Sequence, residues 1–194
     1  MTETLSHPAK DSGTFGRTEV RLAGEGGQGM ILAGIILAEA AAIYDGKQAV
    51  QTQSYGPEAR GGASKSEVVI AAGVIDHPEV LAADVVVTLS SEAYDKYAKT
   101  VKPGGLLIVD DEKVYRTVAD TAVKIPISRL AFETTGKAIT ANTVALGALV
   151  ALTGVVSRKA IAKAVAARAP RGTEEMNAKA LLAGFDAGEK VKAA

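Results

Sequence analysis

Four glycines fall within six residues of GEGGQG at positions 24–29, and Gly24, Gly26 and Gly29 satisfy a G-x-G-x-x-G pattern. Each position of such a loop has a use. One glycine permits a tight turn, another lets the backbone meet a phosphate, and the last allows a helix to pack closely on a strand. Gly27 adds an unobstructed amide, Gln28 can hydrogen-bond without charge, and Met30 opens the apolar segment that follows. The amides of residues 26–30 would then face an anion at a helix N-terminus. A dinucleotide site also needs an acidic residue about 20 residues further on to hold a ribose. No Asp or Glu lies between Lys47 and Pro57, and Glu25 inside the loop repels a pyrophosphate unless it turns away. The loop therefore suits a polar partner, and NAD is disfavoured.

A second constellation is SYGPEARGG at 54–62. Arg60 offers a planar cation that matches phosphate or carboxylate. Gly61 and Gly62 let the chain approach a partner closely, and Ser54 and Tyr55 add a hydroxyl and a flat ring. One RGG triplet in a neutral chain does not make an RNA-binding segment, which depends on repeats and positive charge. Asn142 either caps the helix of TVALGAL or contacts a ligand. Asp110 and Asp111 end a strand, where a solvated terminus explains them better than Mg²⁺ does. His77 and Pro78 form a turn. No Ser–His–Asp set, carboxylate pair or metal-ligand cluster stands out, so no complete active site is expected on this chain.

These residues need a scaffold. Residues 19–23 (EVRLA) fit a strand that feeds the glycine loop, and MILAGIILAEAAAIYDG reads as a helix ended by Gly46. That helix is apolar on nearly every face and should be buried against a sheet and a partner. Strands are expected at KQAVQTQSYG, 64–73, 84–90, 106–111 and 122–127. HPEVLAA reads as a short helix or turn, SEAYDKYAKTV as a helix with Ser91 as N-cap, and KPGG as a turn. After SRLAFETTGKAIT the signals are helical: NTVALGALVALTG, SRKAIAKAVAARA and TEEMNAKALLAGFDAGEKV. The alternation argues for an α/β fold, a doubly wound, mostly parallel sheet with helices on both faces and a helical C-terminal part. Residues 1–17 read as a flexible tail and 18–190 as one domain. In this fold the 54–62 loop leaves the carboxyl end of the second strand beside the glycine loop, the edge where ligands sit.

Composition narrows the class. The 194 residues suit one domain, and with 47% apolar but only 4% aromatic residues the core must be built from Ala, Val, Leu and Ile. Twenty-two basic and 22 acidic residues cancel, which leaves no field for nucleic acid or an anionic membrane. The absence of cysteine rules out a cysteine-held iron–sulfur cluster on this chain. No uninterrupted apolar stretch reaches membrane-spanning length, and the N-terminus lacks signal-peptide order. A cytoplasmic location is expected.

GEGGQG, then SYGPEARGGASKSEV, then NTVALGAL, in this order, resembles the gamma subunit (or gamma domain) of 2-oxoacid:ferredoxin oxidoreductases, over residues 19–185. The wording QSYGPEARGG looks most like the 2-oxoglutarate type; pyruvate, branched-chain 2-oxoacid and indolepyruvate enzymes carry similar domains. The resemblance implies a multi-subunit oxidoreductase that decarboxylates a 2-oxoacid, passes electrons to ferredoxin and forms an acyl-coenzyme A. It places thiamine diphosphate, Mg²⁺ and the iron–sulfur clusters on alpha and beta partner subunits, with a ferredoxin-like delta subunit as a further candidate. It assigns coenzyme A handling and an intersubunit surface to this chain. The matching positions are Gly24, Gly26, Gly27, Gln28 and Gly29 in the first motif. Ser54, Tyr55, Gly56, Pro57, Arg60, Gly61 and Gly62 match the second, and Asn142 and Gly147 the third. Two other readings remain: a self-contained nucleotide-binding enzyme, and a scaffold that only joins subunits.

Overall fold

The computed structural model describes residues 16–54, 63–116 and 121–193. Its strands are β1 (Arg17–Glu25), β2 (Gln48–Ser54), β3 (Ala63–Ala71), β4 (Ala83–Thr88), β5 (Val101–Asp110) and β6 (Val123–Ile125). They form one sheet in the order β2-β3-β1-β4-β5-β6. β1, β4, β5 and β6 pair in parallel, while β3 is antiparallel to both β1 and β2. Five strands thus share one direction, as the mostly parallel reading requires, and β3 alone is reversed. The reason is chain length. Only residues 55–62 join β2 to β3, and a parallel return needs a crossover of a dozen or more residues.

The helices are α1 (Met30–Glu39), α2 (Ser91–Tyr97), α3 (Ile127–Thr135), α4 (Ala141–Thr153), α5 (Arg158–Arg168) and α6 (Glu174–Ala193). Strand alternation sends Val20, Leu22, Val68, Ile70, Val85, Val87 and Ile108 to a large core shared with α1 and α3–α6. The alternate residues Ala23, Val69, Val86, Leu107 and Val109 pack on Ala93, Tyr94 and Tyr97 of α2. Helices cover both faces, but unequally. The β-branched run Val85–Val87 serves both cores, which is why it reads as continuous rather than alternating. α4 is buried from Ala141 to Ala151 without a polar face. It can be so because α6 lies directly against it through Gly147 and Gly184.

Several local expectations change. Ser90, not Ser91, caps α2, its hydroxyl accepting the Ala93 N–H; Ser91 instead donates to the Lys113 carbonyl. HPEVLAA forms no helix. KPGG lies inside β5, with Gly104 at φ +76° and a register irregularity against β4. α3, unassigned from sequence, carries its buried Ile127 and Ala131 one turn apart, the i, i+4 spacing of a helix face.

Thr88 in β4 has a fully buried hydroxyl with no hydrogen-bond partner among the described residues. Thr88→Val keeps the shape and removes the unsatisfied group, so it should raise stability by about 1 kcal/mol. Urea midpoints would show this; a lower midpoint for the variant would mean that the hydroxyl is satisfied after all.

Candidate functional site at the glycine-loop rim

The carboxyl ends of the parallel strands form one rim. At it, Glu25 of β1 pairs with Ala63 of β3, Ala23 with Thr88 of β4, and Ser54 of β2 with Lys65 of β3. The exposed Ser54 and the buried Ala63, which bracket the second motif, therefore share the rim with residues 24–29. Tyr55, Gly56, Pro57, Arg60, Gly61 and Gly62 lie outside the described residues.

The loop itself turns through a Gln28 N–H to Glu25 carbonyl bond of 3.2 Å. Gly27 (φ +95°) and Gly29 (φ +73°) are both left-handed, a conformation that costs a glycine little. Gly29 caps α1 without any side-chain help. Gly26 faces open space, with nothing within 4 Å of where a Cβ would sit.

The four other first- and third-motif candidates turn inward. Gly24 is buried because Gln28 and Met30 pack where its side chain would be. The Gln28 Oε1 accepts from the Glu25 N–H at 2.7 Å while its Nε2 donates to the Leu89 carbonyl at 2.9 Å. Met30 is 1% exposed and belongs to the core, so only its backbone amide could meet a ligand. Asn142, 6% exposed, donates from Nδ2 to the Gly29 carbonyl at 3.3 Å. Its Oδ1 accepts the Thr143 N–H at 2.8 Å, satisfying a first-turn amide of α4. Gly24, Gln28, the Met30 side chain and Asn142 thus brace the loop, whereas Gly26 and Gly27 present it to solvent.

Gln28 also spans the place where a dinucleotide would enter. The chain turns toward β2 after β1 and toward β5 after β4, which makes the β1–β4 gap the topological switch point where such ligands insert. Across that gap Gln28 donates to the Leu89 carbonyl at 2.9 Å, and the Leu89 N–H continues the strand pairing to the Ala23 carbonyl at 3.0 Å.

Open space lies instead on either side of the loop. One depression of about 370 Å³ is lined by Gly26, Gly29, Ile31, Leu32, Ile35 and Ser64. The other, about 560 Å³, is lined by Gly27, Lys113, Arg129, Phe132 and Ile139. Gly27 borders both. Phe132 is 61% exposed and Ile139 66% exposed, so an apolar ring, two cations and the carboxylate of Glu112 share the second hollow. Arg129 keeps a 3.5 Å ion pair with Glu112. None of Lys113, Arg129, Phe132 or Ile139 stood out from sequence, because nothing in their spacing links them before α3 packs beside the loop.

Asp110 is a correction. It is fully buried rather than a solvated strand end. Ser128 donates to it through both hydroxyl and N–H, and the Glu112 N–H donates at 3.2 Å. Burial raises its carboxyl above the usual carboxylate range, and these hydrogen bonds oppose that rise. Its work is to anchor the first turn of α3. Among the described residues no group of His, Asp or Glu is placed to hold a metal ion, and no helix is long and apolar enough to cross a membrane.

Comparison with known proteins bears on this rim. The pyruvate ferredoxin/flavodoxin oxidoreductase family matches residues 19–187. A 2-oxoglutarate synthase subunit KorC of Methanocaldococcus jannaschii is 51% identical over 179 residues, covering 90% of this chain and 96% of that one. The keto/oxoacid ferredoxin oxidoreductase gamma subunit of Geobacter sulfurreducens superposes with TM-score 0.82 at 50% identity, covering 90% of this chain and 98% of that one. The 2-oxoglutarate:ferredoxin oxidoreductase of Magnetococcus marinus, solved with 2-oxoglutarate, coenzyme A and succinyl-CoA bound, gives TM-score 0.79 at 27% identity. That match covers 92% of this chain and 32% of the longer one. With its fold and nearly its whole length in common with these proteins, the chain belongs to the pyruvate ferredoxin/flavodoxin oxidoreductase family and is a gamma-type subunit of a 2-oxoacid:ferredoxin oxidoreductase.

Proposed function

We propose that this chain serves a 2-oxoglutarate:ferredoxin oxidoreductase, where its glycine-loop rim takes up coenzyme A and the surrounding surface joins the alpha and beta subunits. Thiamine diphosphate, Mg²⁺ and the iron–sulfur clusters belong to those partners, and ferredoxin is reached through them, in the cytoplasm. A ferredoxin-like delta subunit is a further candidate partner. The observation that carries this reading is the pair of open depressions flanking Gly27. Coenzyme A is a long ligand with a phosphorylated end and a thin, uncharged arm. The hollow with Lys113 and Arg129 offers cations to the first, and the ledge of Ile31, Leu32 and Ile35 offers apolar contact to the second. Exposed amides at Gly26 and Gly27 suit an anion between them. Arg60, from the second motif, is a further cation for a phosphate or for the 2-oxoacid carboxylate.

The test is steady-state kinetics on the assembled complex. Gly26 has room for a side chain, so Gly26→Val should assemble normally yet block the rim, raising KM for coenzyme A about tenfold or more. Arg60→Ala should likewise preserve assembly and raise KM for coenzyme A or the 2-oxoacid. Unchanged constants for both variants in intact complexes would leave the rim without a ligand role.

A further inference from the structure

One polar side chain lines the apolar depression beside α1. Among the described residues its walls are Met30, Ile31, Leu32 and Ile35 of α1, the loop glycines, and Ser64 of β3. Ser64 stands opposite Gly24 in the β1–β3 ladder. It is 8% exposed, and its hydroxyl lies 3.1 Å from the Gly24 carbonyl oxygen. Strand alternation puts Ser66 on the same face of β3, where it is fully buried against Gly34. The two serines differ in what their oxygens meet. Ser66 Oγ accepts from Gln51 Nε2 at 2.7 Å, whereas Ser64 Oγ makes only the bond to Gly24 among the described residues.

That single bond fixes the character of the Ser64 oxygen. A carbonyl only accepts, so the hydroxyl hydrogen goes to Gly24 and the oxygen keeps acceptor capacity alone. A neutral acceptor on an apolar floor favours an N–H donor and disfavours an anion, whose oxygens bring no hydrogen. A phosphate therefore suits the hollow with Lys113 and Arg129, on the other side of the loop. The uncharged arm of coenzyme A carries two secondary amides, each with one N–H among methylene groups. Such an arm would lay its carbon chain on Ile31, Leu32 and Ile35, where apolar walls leave an amide hydrogen without a partner. A buried donor left so is costly, and Ser64 is the side chain placed to accept it.

We propose that Ser64 is a specificity-determining residue of the rim: its hydroxyl oxygen accepts an amide N–H of the coenzyme A arm and so seats the arm against α1. This rests on the coenzyme A reading above and adds the contact that recognises the arm.

The test pairs a protein change with a ligand change in the assembled complex. Ser64→Ala should raise KM for coenzyme A about three- to tenfold, the worth of one neutral hydrogen bond, and lower kcat/KM by the same factor. Two coenzyme A analogues, each with one arm N–H replaced by CH2, separate recognition of the arm from support of the loop. One of them should raise KM on the wild-type complex by a similar factor, yet on Ser64→Ala its KM should match that of coenzyme A. If instead Ser64→Ala raises KM for coenzyme A and both analogues by one common factor, the residue only supports the loop and the proposal is overturned. An unchanged KM for Ser64→Ala overturns it as well. If either happens while Gly26→Val still raises KM, the coenzyme A reading stands without Ser64. If Gly26→Val and Ser64→Ala both leave KM unchanged, the coenzyme A reading falls and takes the proposal with it.

Discussion

Gly147→Ala is expected to destabilise this chain by about 4 kcal/mol and to lower Tm by roughly 8–16 °C. The sign is what makes the experiment informative. In an ordinary helix interior, replacing glycine with alanine stabilises by about 1 kcal/mol. Here the added methyl has nowhere to go. It would overlap the Leu181 carbonyl oxygen and stand 2.9 Å from Gly184 Cα and 3.0 Å from the Phe185 nitrogen. All three are backbone atoms of α6, so no rotamer change relieves the contact and the two helices must separate. Gly184 meets α4 in the same way, against the Val144 carbonyl and Gly147 Cα, and a Cβ added to Gly188 would stand 2.7 Å from Ala151 Cβ. Separation would be felt near the rim, because Thr143 of α4 bonds Asn177 of α6 and the neighbouring Asn142 donates to the Gly29 carbonyl. Gly26→Ala is the control: its surroundings are empty, and it should melt with the wild type. A Gly147→Ala protein at least as stable as wild type would show that α4 and α6 do not approach this closely.

The second large effect belongs to Glu67. Arg21 and Glu67 sit opposite each other on β1 and β3 and are 3% and 7% exposed. The Arg21 Nε donates to Glu67 Oε1 at 2.7 Å, and Lys65 Nζ lies 2.9 Å from the same oxygen. Arg21 also donates to the Val80 carbonyl and the Thr100 hydroxyl, and stacks 5.7 Å from the Tyr97 ring centroid. Glu67→Ala removes the one anion from this group and leaves a buried guanidinium beside a lysine. A stranded buried charge of this kind costs about 3–5 kcal/mol, which for a chain of this size is a Tm loss of roughly 6–20 °C. Arg21→Met combined with Glu67→Leu should cost less than Glu67→Ala alone, since apolar replacement of a buried pair removes the desolvation penalty with the charges. Thermal melts of the three proteins decide it. A double variant as unstable as the single one would mean that packing, not the stranded charge, causes the loss. Because the pair joins β3 to β1, it also holds Ala63, and with it the end of the second motif, beside the glycine loop.

Much of this fold was readable because its signals are local. Glycine at 27 and 29 follows from backbone geometry, the Val85–Val87 run from burial on two faces, and the helices from their caps and apolar spacing. Even the reversed strand β3 was implicit in a connection of only residues 55–62. The site was harder. Gly24, Gln28, Met30 and Asn142 were legible as members of motifs, yet a motif records only that a residue type is required. It does not say whether the side chain reaches outward or braces from behind. Asp110 shows the same limit: its position at a strand end was plain, but not the α3 turn folded over it.

By itself the sequence determined the class, an α/β layer with a glycine-rich rim, and the absence of any thiolate-held cluster, since both depend on residue types and neighbours in the chain. Tertiary structure alone decided which glycines face solvent, that Gln28 reaches across to the Leu89 carbonyl, and that Lys113, Arg129 and Phe132 share a hollow with Gly27. Those facts depend on contacts between residues some 60 to more than 100 positions apart. Such contacts leave no period or spacing to read, because they are set by how helices and strands stack, and stacking is settled only when the whole core packs at once.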